Sequence, residues 1–152
     1  MPWDNQRMAH TDELSAKTDG RVRPLILIVE DQSELRALYV QYLAISGFDV
    51  IEAGNGAEAI TVTTAQSPDV VLMDLSLPVI DGWEATRRLK SDLRTAHIPV
   101  VALTAHDGSG ELERATSAGC DWLVPKPCPP DALITEVRRV LAANRQPLTT
   151  DN

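Results

Sequence analysis

VVLMDLSLP, residues 70–78, is the stretch that decides the fold of this chain. Its apolar run leads directly into one carboxylate, Asp74, and a loop containing Pro78, Asp81 and Gly82 follows. A short, continuous apolar run between turn signals is typical of a β-strand that is buried on both faces. Asp74 then lies at the C-terminal end of that strand, and in open α/β sheets this edge is where ligands bind. The stretch therefore predicts a buried parallel strand that ends in a functional carboxylate.

Short apolar runs alternate with helical patterns from residue 25 to residue 143. The predicted strands cover residues 25–29, 48–52, 69–73, 98–103 and 121–124, and the predicted helices cover residues 33–46, 56–66, 82–93, 111–118 and 130–143. Helical crossovers between strands are typical of a parallel sheet covered on both faces. The first, third and fourth runs are apolar throughout and belong at the centre, whereas the second and fifth are more polar and belong at the edges. The pattern predicts a flavodoxin-like (βα)5 α/β fold, a three-layer sandwich with a parallel sheet in the order 2-1-3-4-5.

The bulk composition argues against several classes of function. A formal net charge of -8 argues against a nucleic-acid binder, because such a protein needs a basic face. The two cysteines, Cys120 and Cys128, have no disulfide or metal spacing. No apolar run approaches membrane-spanning length, so we expect no membrane insertion and a cytoplasmic location.

The chain divides into three predicted segments. Residues 1–24 are polar and lack an apolar period, which predicts a disordered leader. Residues 25–143 form the one predicted domain, and residues 144–152 form a polar tail. The tail is too short to fold alone, so we expect no output domain there.

The predicted sheet brings chemically useful side chains to one edge. The strand ends carry Glu30 and Asp31, then Asp74, then Thr104 and finally Lys126. In the order 2-1-3-4-5 the first and third strands are neighbours, ~4.8 Å apart, so the three carboxylates crowd together. Like charges this close either raise one another's pKa or need a cation, and carboxylate oxygens suit Mg²⁺. A carboxylate nucleophile, a hard metal, a hydroxyl and an ammonium group are the parts needed for phosphoryl transfer to aspartate.

Each of these residues alone has an ordinary structural explanation. An acidic pair after a strand is usually a helix cap, a single Asp before a turn is usually a turn residue, and a Lys-Pro pair usually marks the surface. Their occurrence together at the C-terminal ends of strands favours a functional site.

The same motifs resemble those of the response-regulator receiver domains of two-component signalling. The matching segments are Ile28–Asp31, Met73–Pro78 with Asp81 and Gly82, Ala102–Ala105, Gly119–Asp121 and Lys126–Pro127. The resemblance covers about residues 25–143 and implies a signalling switch in a phosphorelay, a phosphoprotein without enzymatic turnover of outside substrates.

The resemblance also implies roles for the site residues. Asp74 corresponds to the phosphoacceptor. Asp31 and Asp74 correspond to direct Mg²⁺ ligands, together with the backbone carbonyl of Ser76, whereas Glu30 acts through water.

The resemblance also assigns roles to Thr104, Lys126, Ser76 and His106. Thr104 and Lys126 correspond to the pair that senses the phosphoryl group, and the Lys126–Pro127 bond is cis in the family. Ser76 and His106 border the phosphoryl group and tune its hydrolysis, although His106 also fits an exposed loop residue.

The implied partners are proteins. The phosphoryl donor is a sensor histidine kinase or a histidine phosphotransfer protein, and the output is docking to a separate effector. A phosphorylation-dependent dimer stays open as one form of that output.

One position departs from the family pattern. Counting from Gly119 and Lys126, the family's switch aromatic on strand five falls on Leu123, whereas the aromatic here is Trp122. Because side chains alternate along a strand, Trp122 and Leu123 point to opposite faces of the sheet. We expect Trp122 either to pack under the last helix or to anchor a partner.

Three other functions remain open from the residues. A haloacid-dehalogenase-type phosphatase also forms an aspartyl phosphate, but it requires a second Asp where Ser76 stands. A flavin carrier shares the fold, but Glu30 and Asp31 would repel its phosphate. A receiver-like interaction module that is never phosphorylated is the third.

Overall fold

Strands and helices alternate along the residues that the computed structural model describes, 21–104 and 111–145. The strands are β1 (Leu25–Val29), β2 (Asp49–Ala53), β3 (Val70–Asp74), β4 (Val100–Thr104) and β5 (Trp122–Pro125). The helices are α1 (Ser33–Ile45), α2 (Gly56–Gln66), α3 (Gly82–Ser91), α4 (Glu111–Ala118) and α5 (Pro130–Arg145). The strands form one parallel sheet in the order β2-β1-β3-β4-β5, which confirms the predicted fold.

The central strands β1, β3 and β4 are buried along their whole length, as their apolar sequences predicted. Their side chains alternate between two layers of helices. One face packs against α1 and α5, through residues such as Leu43, Leu133 and Val137. The other face packs against α2 and α3, through Ala59, Ala85 and Leu89. Each fully buried aliphatic side chain contributes about 1.5–3 kcal/mol, so this double coverage is the main source of stability.

Four strands, β2 to β5, begin one or two residues later than the sequence predicted, and β2 and β4 have clear local reasons for it. β2 begins at Asp49 because the Phe48 amide donates to the Leu43 carbonyl at the end of α1. β4 begins at Val100 because the Ile98 amide donates to Thr95 and Pro99 has no amide proton to pair with a neighbour.

Two arginines ahead of β1 contact the ends of two helices. Arg23 donates to the carbonyl of Ala44 in the last turn of α1 and to those of Gly47 and Phe48 just after it. Arg21 donates to the Ser67 carbonyl after α2 at 2.6 Å. Cations are favourable at helix C-termini, so these contacts fasten the end of the predicted leader, residues 21–24, to the domain. Residues 1–20 lie outside the described part of the chain.

Trp122 packs under the last helix, which is the first of the two alternatives predicted for it. Its ring packs against the cluster formed with α1 and α5, and its indole N–H donates to Glu136 on α5 at 3.0 Å. Leu123 points to the opposite face and contacts the cluster that includes Ala115 of α4 and Trp83 of α3. No helix within residues 21–104 and 111–145 has the length and apolar character to cross a membrane.

Candidate functional site

Three carboxylates come together where β1 and β3 end. β1 and β3 are paired neighbours, with Val29 opposite Met73, so the residues that follow reach the same edge. One carboxylate oxygen each of Glu30, Asp31 and Asp74 lies within 4.8 Å of the others. Glu30 and Asp74 are buried, whereas Asp31 is exposed. The predicted acidic cluster is therefore present, with one side open to solvent.

Glu30 is the most deeply placed member of the cluster. Its side chain has no exposed surface, the Gln32 backbone N–H donates to its Oε2 at 3.3 Å, and Lys126 Nζ lies 3.3 Å from its Oε1. Burial raises the pKa of Glu30, and the neighbouring Asp74 charge adds to the rise while Lys126 opposes it. The surroundings of Glu30 therefore disfavour its charged form, and a bound cation would favour it.

Lys126 closes the site from the end of β5. Its Nζ lies 3.5 Å from Asp74 Oδ1 as well as 3.3 Å from Glu30, and its side chain is one-fifth exposed. The backbone N–H of Lys126 donates to the Thr104 carbonyl at 2.6 Å, which ties β5 to the end of β4. The Lys126–Pro127 peptide bond is cis, as the resemblance implied.

Thr104 and Ser76 lie beside the phosphoacceptor candidate in different ways. Thr104 is buried and follows Leu103, which pairs with Asp74 across the sheet. Ser76 is exposed, and its backbone N–H donates to Asp74 Oδ1 at 3.1 Å. The predicted metal contact of the Ser76 carbonyl stays a prediction, and His106 lies outside the described residues.

Gly82 fixes the backbone beneath Asp74. Its amide donates to the Leu75 carbonyl at 3.2 Å, and a Cβ at this position would collide with the Asp74 carbonyl and the Leu75 Cα. Only glycine allows the start of α3 to lie this close to the end of β3. Asp81 before it caps α3, since its side chain accepts from the Glu84 amide at 2.9 Å.

Two supporting residues were not singled out from the sequence. The Gln32 amide holds Glu30, and Arg36 donates to the Glu30 carbonyl at 2.6 Å and to Glu52 at 2.9 Å. Helical spacing from Gln32 places Arg36 one turn along α1, which was the available signal. Its contact with the carbonyl depends on where the chain leaves β1, and no sequence pattern gives that.

The donor set fits a hard divalent cation. All three acidic side chains offer oxygen, the ligand that Mg²⁺ prefers, and the exposed side at Asp31 leaves room for water and a phosphoryl group. Together the fold and this edge define a flavodoxin-like α/β protein with an acidic, lysine-flanked site for phosphate chemistry.

Comparison with known proteins gives the family. The sequence model of the family described as response regulator receiver domain matches residues 26–138. The chain therefore belongs to this family. The polar-differentiation response regulator DivK of Brucella anthropi is 35% identical over 116 residues, covering 76% of this chain and 94% of DivK. The DivK of Brucella ovis is 34% identical over the same length.

Solved structures give the same fold. The receiver domain of the sensor histidine kinase PA1611 from Pseudomonas aeruginosa has a TM-score of 0.73 and 30% identity, covering 79% of this chain and 98% of that domain. That structure holds a magnesium ion coordinated in the active site cleft. Vibrio cholerae CheY4 has a TM-score of 0.74 at 24% identity, covering 78% of this chain and 99% of CheY4, and it supports the fold alone.

The loop after Asp74 contains a strained residue, Val79. Its φ is 71°, a region that β-branched residues rarely adopt, and its side chain is 81% exposed. We expect Val79→Gly to raise the free energy of unfolding by about 1 kcal/mol, because it relieves this strain without loss of packing. Urea denaturation checks the value. Val22→Gly, at an exposed valine without positive φ, is the control and should give no gain; an equal change in both would contradict the explanation.

The raised pKa of Glu30 gives a pH-dependent prediction. A raised folded-state pKa stabilises the fold fully below the ordinary value of 4.5, and this contribution is lost as the pH rises through the folded-state value. The charged form of Glu30 is therefore less favoured in the folded protein than in the unfolded chain. We expect Glu30→Gln to raise the free energy of unfolding of the metal-free protein at pH 7, and to raise it less near pH 4.

Denaturation at the two pH values measures this difference. Glu34→Gln, at an exposed acidic residue in the first turn of α1, is the control and should show no such dependence. A Glu30→Gln protein that is less stable than the parent at pH 7 would show that its ionised carboxylate supports the fold.

Proposed function

We propose that this protein is a phosphorylation switch in which Asp74 accepts a phosphoryl group from a phosphohistidine. The observation that carries the proposal is the grouping of Glu30, Asp31 and Asp74 within 4.8 Å, with Lys126 against two of them. Family membership supports the same chemistry. In the proposed reaction an Asp74 oxygen attacks phosphorus, a P–O bond forms as the donor P–N bond breaks, and the electron pair of that bond stays on the imidazole nitrogen.

The side chains around Asp74 have separate tasks in this proposal. Asp31, Asp74 and the Ser76 carbonyl would hold Mg²⁺ directly and Glu30 would hold it through water; the bound ion offsets charge on the transferring group. Lys126 turns from the carboxylates to a phosphoryl oxygen as a compact positive charge. The Thr104 hydroxyl donates to another phosphoryl oxygen.

An apolar groove beside Lys126 supports a protein donor. It has a volume of ≈ 550 Å³ and is lined by Leu35, Leu38 and Tyr39 of α1 together with Pro127 of the β5–α5 connection and Pro130 at the start of α5. Tyr42 and Ile45 extend the apolar surface along α1, with Ile45 77% exposed. A helix that carries the phosphohistidine fits this surface, because a donor seated there lies next to Lys126 and the acidic cluster. The donor is then a sensor histidine kinase or a histidine phosphotransfer protein.

The output of the switch is a change in docking to a separate effector. New charge at Asp74 is accommodated by movement of Thr104 and Lys126, and the surface formed by α4, β5 and α5 shifts its population of conformations. The protein turns over no outside substrate; hydrolysis of its own aspartyl phosphate resets it.

Incubation with acetyl phosphate and Mg²⁺ tests the proposal. We expect one phosphoryl group per chain that is labile in both acid and base. We expect no labelling when Mg²⁺ is removed with a chelator. Failure of the folded protein to take up phosphate with Mg²⁺ present would refute the phosphorylation switch and favour the interaction module that is never phosphorylated. Release of inorganic phosphate from many phosphate esters would favour the phosphatase instead.

Lys126→Ala separates metal binding from the response. We expect its Mg²⁺ affinity to stay within about threefold of the parent, because Lys126 provides no metal ligand, whereas beryllofluoride no longer changes hydrogen exchange in α4. Lys126→Arg, which keeps the charge, is the comparison. A full hydrogen-exchange response in Lys126→Ala would remove the proposed role of this lysine.

A further inference from the structure

Trp83 is a large side chain enclosed mainly by small ones between α3 and α4. It is the second residue of α3 and is 7% exposed. The buried cluster around it contains Leu75 from the loop after β3, Ala102 of β4, and Ala115 and Ala118 of α4. Among the α4 side chains that the structure describes, Ala115 and Ala118 are the buried members of this cluster, and the Trp83 indole is the largest side chain in it.

The ring is connected to the backbone of Asp74 through Gly82. The Gly82 amide donates to Leu75, and the lack of space for a Cβ shows that Gly82 lies directly against the Asp74 carbonyl. Leu75 in turn contacts the Trp83 cluster and donates its own amide to the Leu103 carbonyl at 3.2 Å. A displacement of the Asp74–Leu75 backbone therefore cannot occur without displacement of Gly82 and the residue that follows it.

A cation from α4 covers the outer face of the same ring. The Arg114 guanidinium carbon lies 4.3 Å from the centre of the Trp83 ring, well within the range of a cation–π contact. Arg114 is an exposed residue, and the Trp83 ring is the aromatic surface that its guanidinium covers. The contact joins α4 to a residue next to the acidic site.

We propose that Trp83 and Arg114 form a positioning pair that transmits the charge state of Asp74 to α4. Phosphorylation draws groups toward Asp74 and shifts the Leu75–Gly82 contact. The Trp83 ring then changes its angle to Arg114, and α4 adjusts because its alanines and its arginine both rest on that ring. The inference rests on the proposed function, since it requires that Asp74 be phosphorylated.

The pair acts by contacts that differ between two states. In the proposal the Arg114–Trp83 contact couples movement of the ring to α4, so loss of the contact weakens the response of α4 to phosphorylation. We expect this loss to reduce the phosphorylation-induced shift in α4 population by about fivefold. Transfer of the phosphoryl group is unaffected, because neither residue is part of the acidic cluster.

Trp83 fluorescence and hydrogen exchange test the inference. The full-length protein with Trp3→Phe and Trp122→Phe keeps Trp83 as its only tryptophan. We expect Mg²⁺ and beryllofluoride to change its emission, and Asp74→Asn to abolish that change. In the otherwise native chain, Arg114→Gln should reduce the response of amide exchange in residues 111–118 by about fivefold while acetyl phosphate labelling stays within twofold.

Matched variants distinguish the pair from a general effect on α4. Glu113→Gln changes a charge next to Arg114 and should leave the response intact, and Arg114→Lys should restore part of it. Labelling at Asp74 with unchanged Trp83 emission, or a full exchange response in Arg114→Gln, would overturn the inference alone. Failure of labelling in the parent protein would overturn the phosphorylation switch, and the inference with it.

Discussion

Asp74→Asn is expected to lower labelling by acetyl phosphate by roughly three orders of magnitude or more. The amide has nearly the shape of the carboxylate but is not a nucleophile, so no P–O bond forms at this position. Asp74 is the member of the acidic cluster whose backbone lies against Gly82, and Leu75 follows it directly. Incorporation of radioactive phosphate over time measures the effect.

Asp81→Asn is the matched control for this substitution. It makes the same change in the same loop, and Asn caps the helix as well as Asp does, so the capping contact with the Glu84 amide is retained. We expect its labelling to stay within about twofold of the parent. Equal losses in the two variants would show that disruption of the loop, rather than loss of the nucleophile, is responsible.

The second large effect is expected from Asp31→Ala on the affinity for Mg²⁺. Asp31 is the exposed carboxylate of the cluster and reaches the same point as Glu30 and Asp74. Because Asp31 is a proposed Mg²⁺ ligand, its removal should weaken Mg²⁺ binding by about tenfold to a hundredfold or more; residues that only support metal ligands already have effects in this range. Titration calorimetry at fixed pH measures the affinity, and the Mg²⁺ concentration needed for half-maximal labelling should rise in parallel.

Glu34→Ala controls for the loss of negative charge. Glu34 is an exposed acidic residue in the first turn of α1, one helical turn beyond the site. Its removal should change Mg²⁺ affinity by less than about twofold, because exposed charges at this separation are screened by salt. An Asp31→Ala protein with the affinity of the parent would exclude Asp31 as a ligand.

The sheet order and the acidic site were both predictable from the sequence, for the same reason. Continuous apolar runs at 25–29, 70–73 and 100–103 require burial on both faces, which places them at the centre. Once the strands are parallel, the residues after them share one edge. The grouping of Glu30, Asp31 and Asp74 follows from that geometry and from nothing more distant in the chain.

Contacts between helices were not predictable in the same way. Periodicity shows that Trp83 and the alanines of α4 face inward, but it does not show that they face each other. The Arg114–Trp83 contact depends on how α3 and α4 pack on the sheet. The late start of β4 depends on a turn in which the Ile98 amide binds Thr95, and such turns compete locally with strand pairing.

For Trp122, the alternation of side chains along a strand predicted the face of the sheet but not the packing partner. Sequence counting put Trp122 and Leu123 on opposite faces, and the structure has Trp122 on the α5 side and Leu123 on the α4 side. The choice between packing and partner docking was open from the sequence. The bond to Glu136 favours packing, and it could not be foreseen because residue 136 lies on a separate helix.

Identifying the residue that carries the phosphoryl group in the native protein is the most direct test of the phosphorylation switch. The protein is labelled with acetyl phosphate and Mg²⁺, the acyl phosphate is reduced with borohydride, and peptides are sequenced by mass spectrometry. We predict a single modified residue, Asp74, converted to homoserine, and no modification without Mg²⁺. Modification at another residue, or none with Mg²⁺ present, would contradict the role assigned to the acidic cluster.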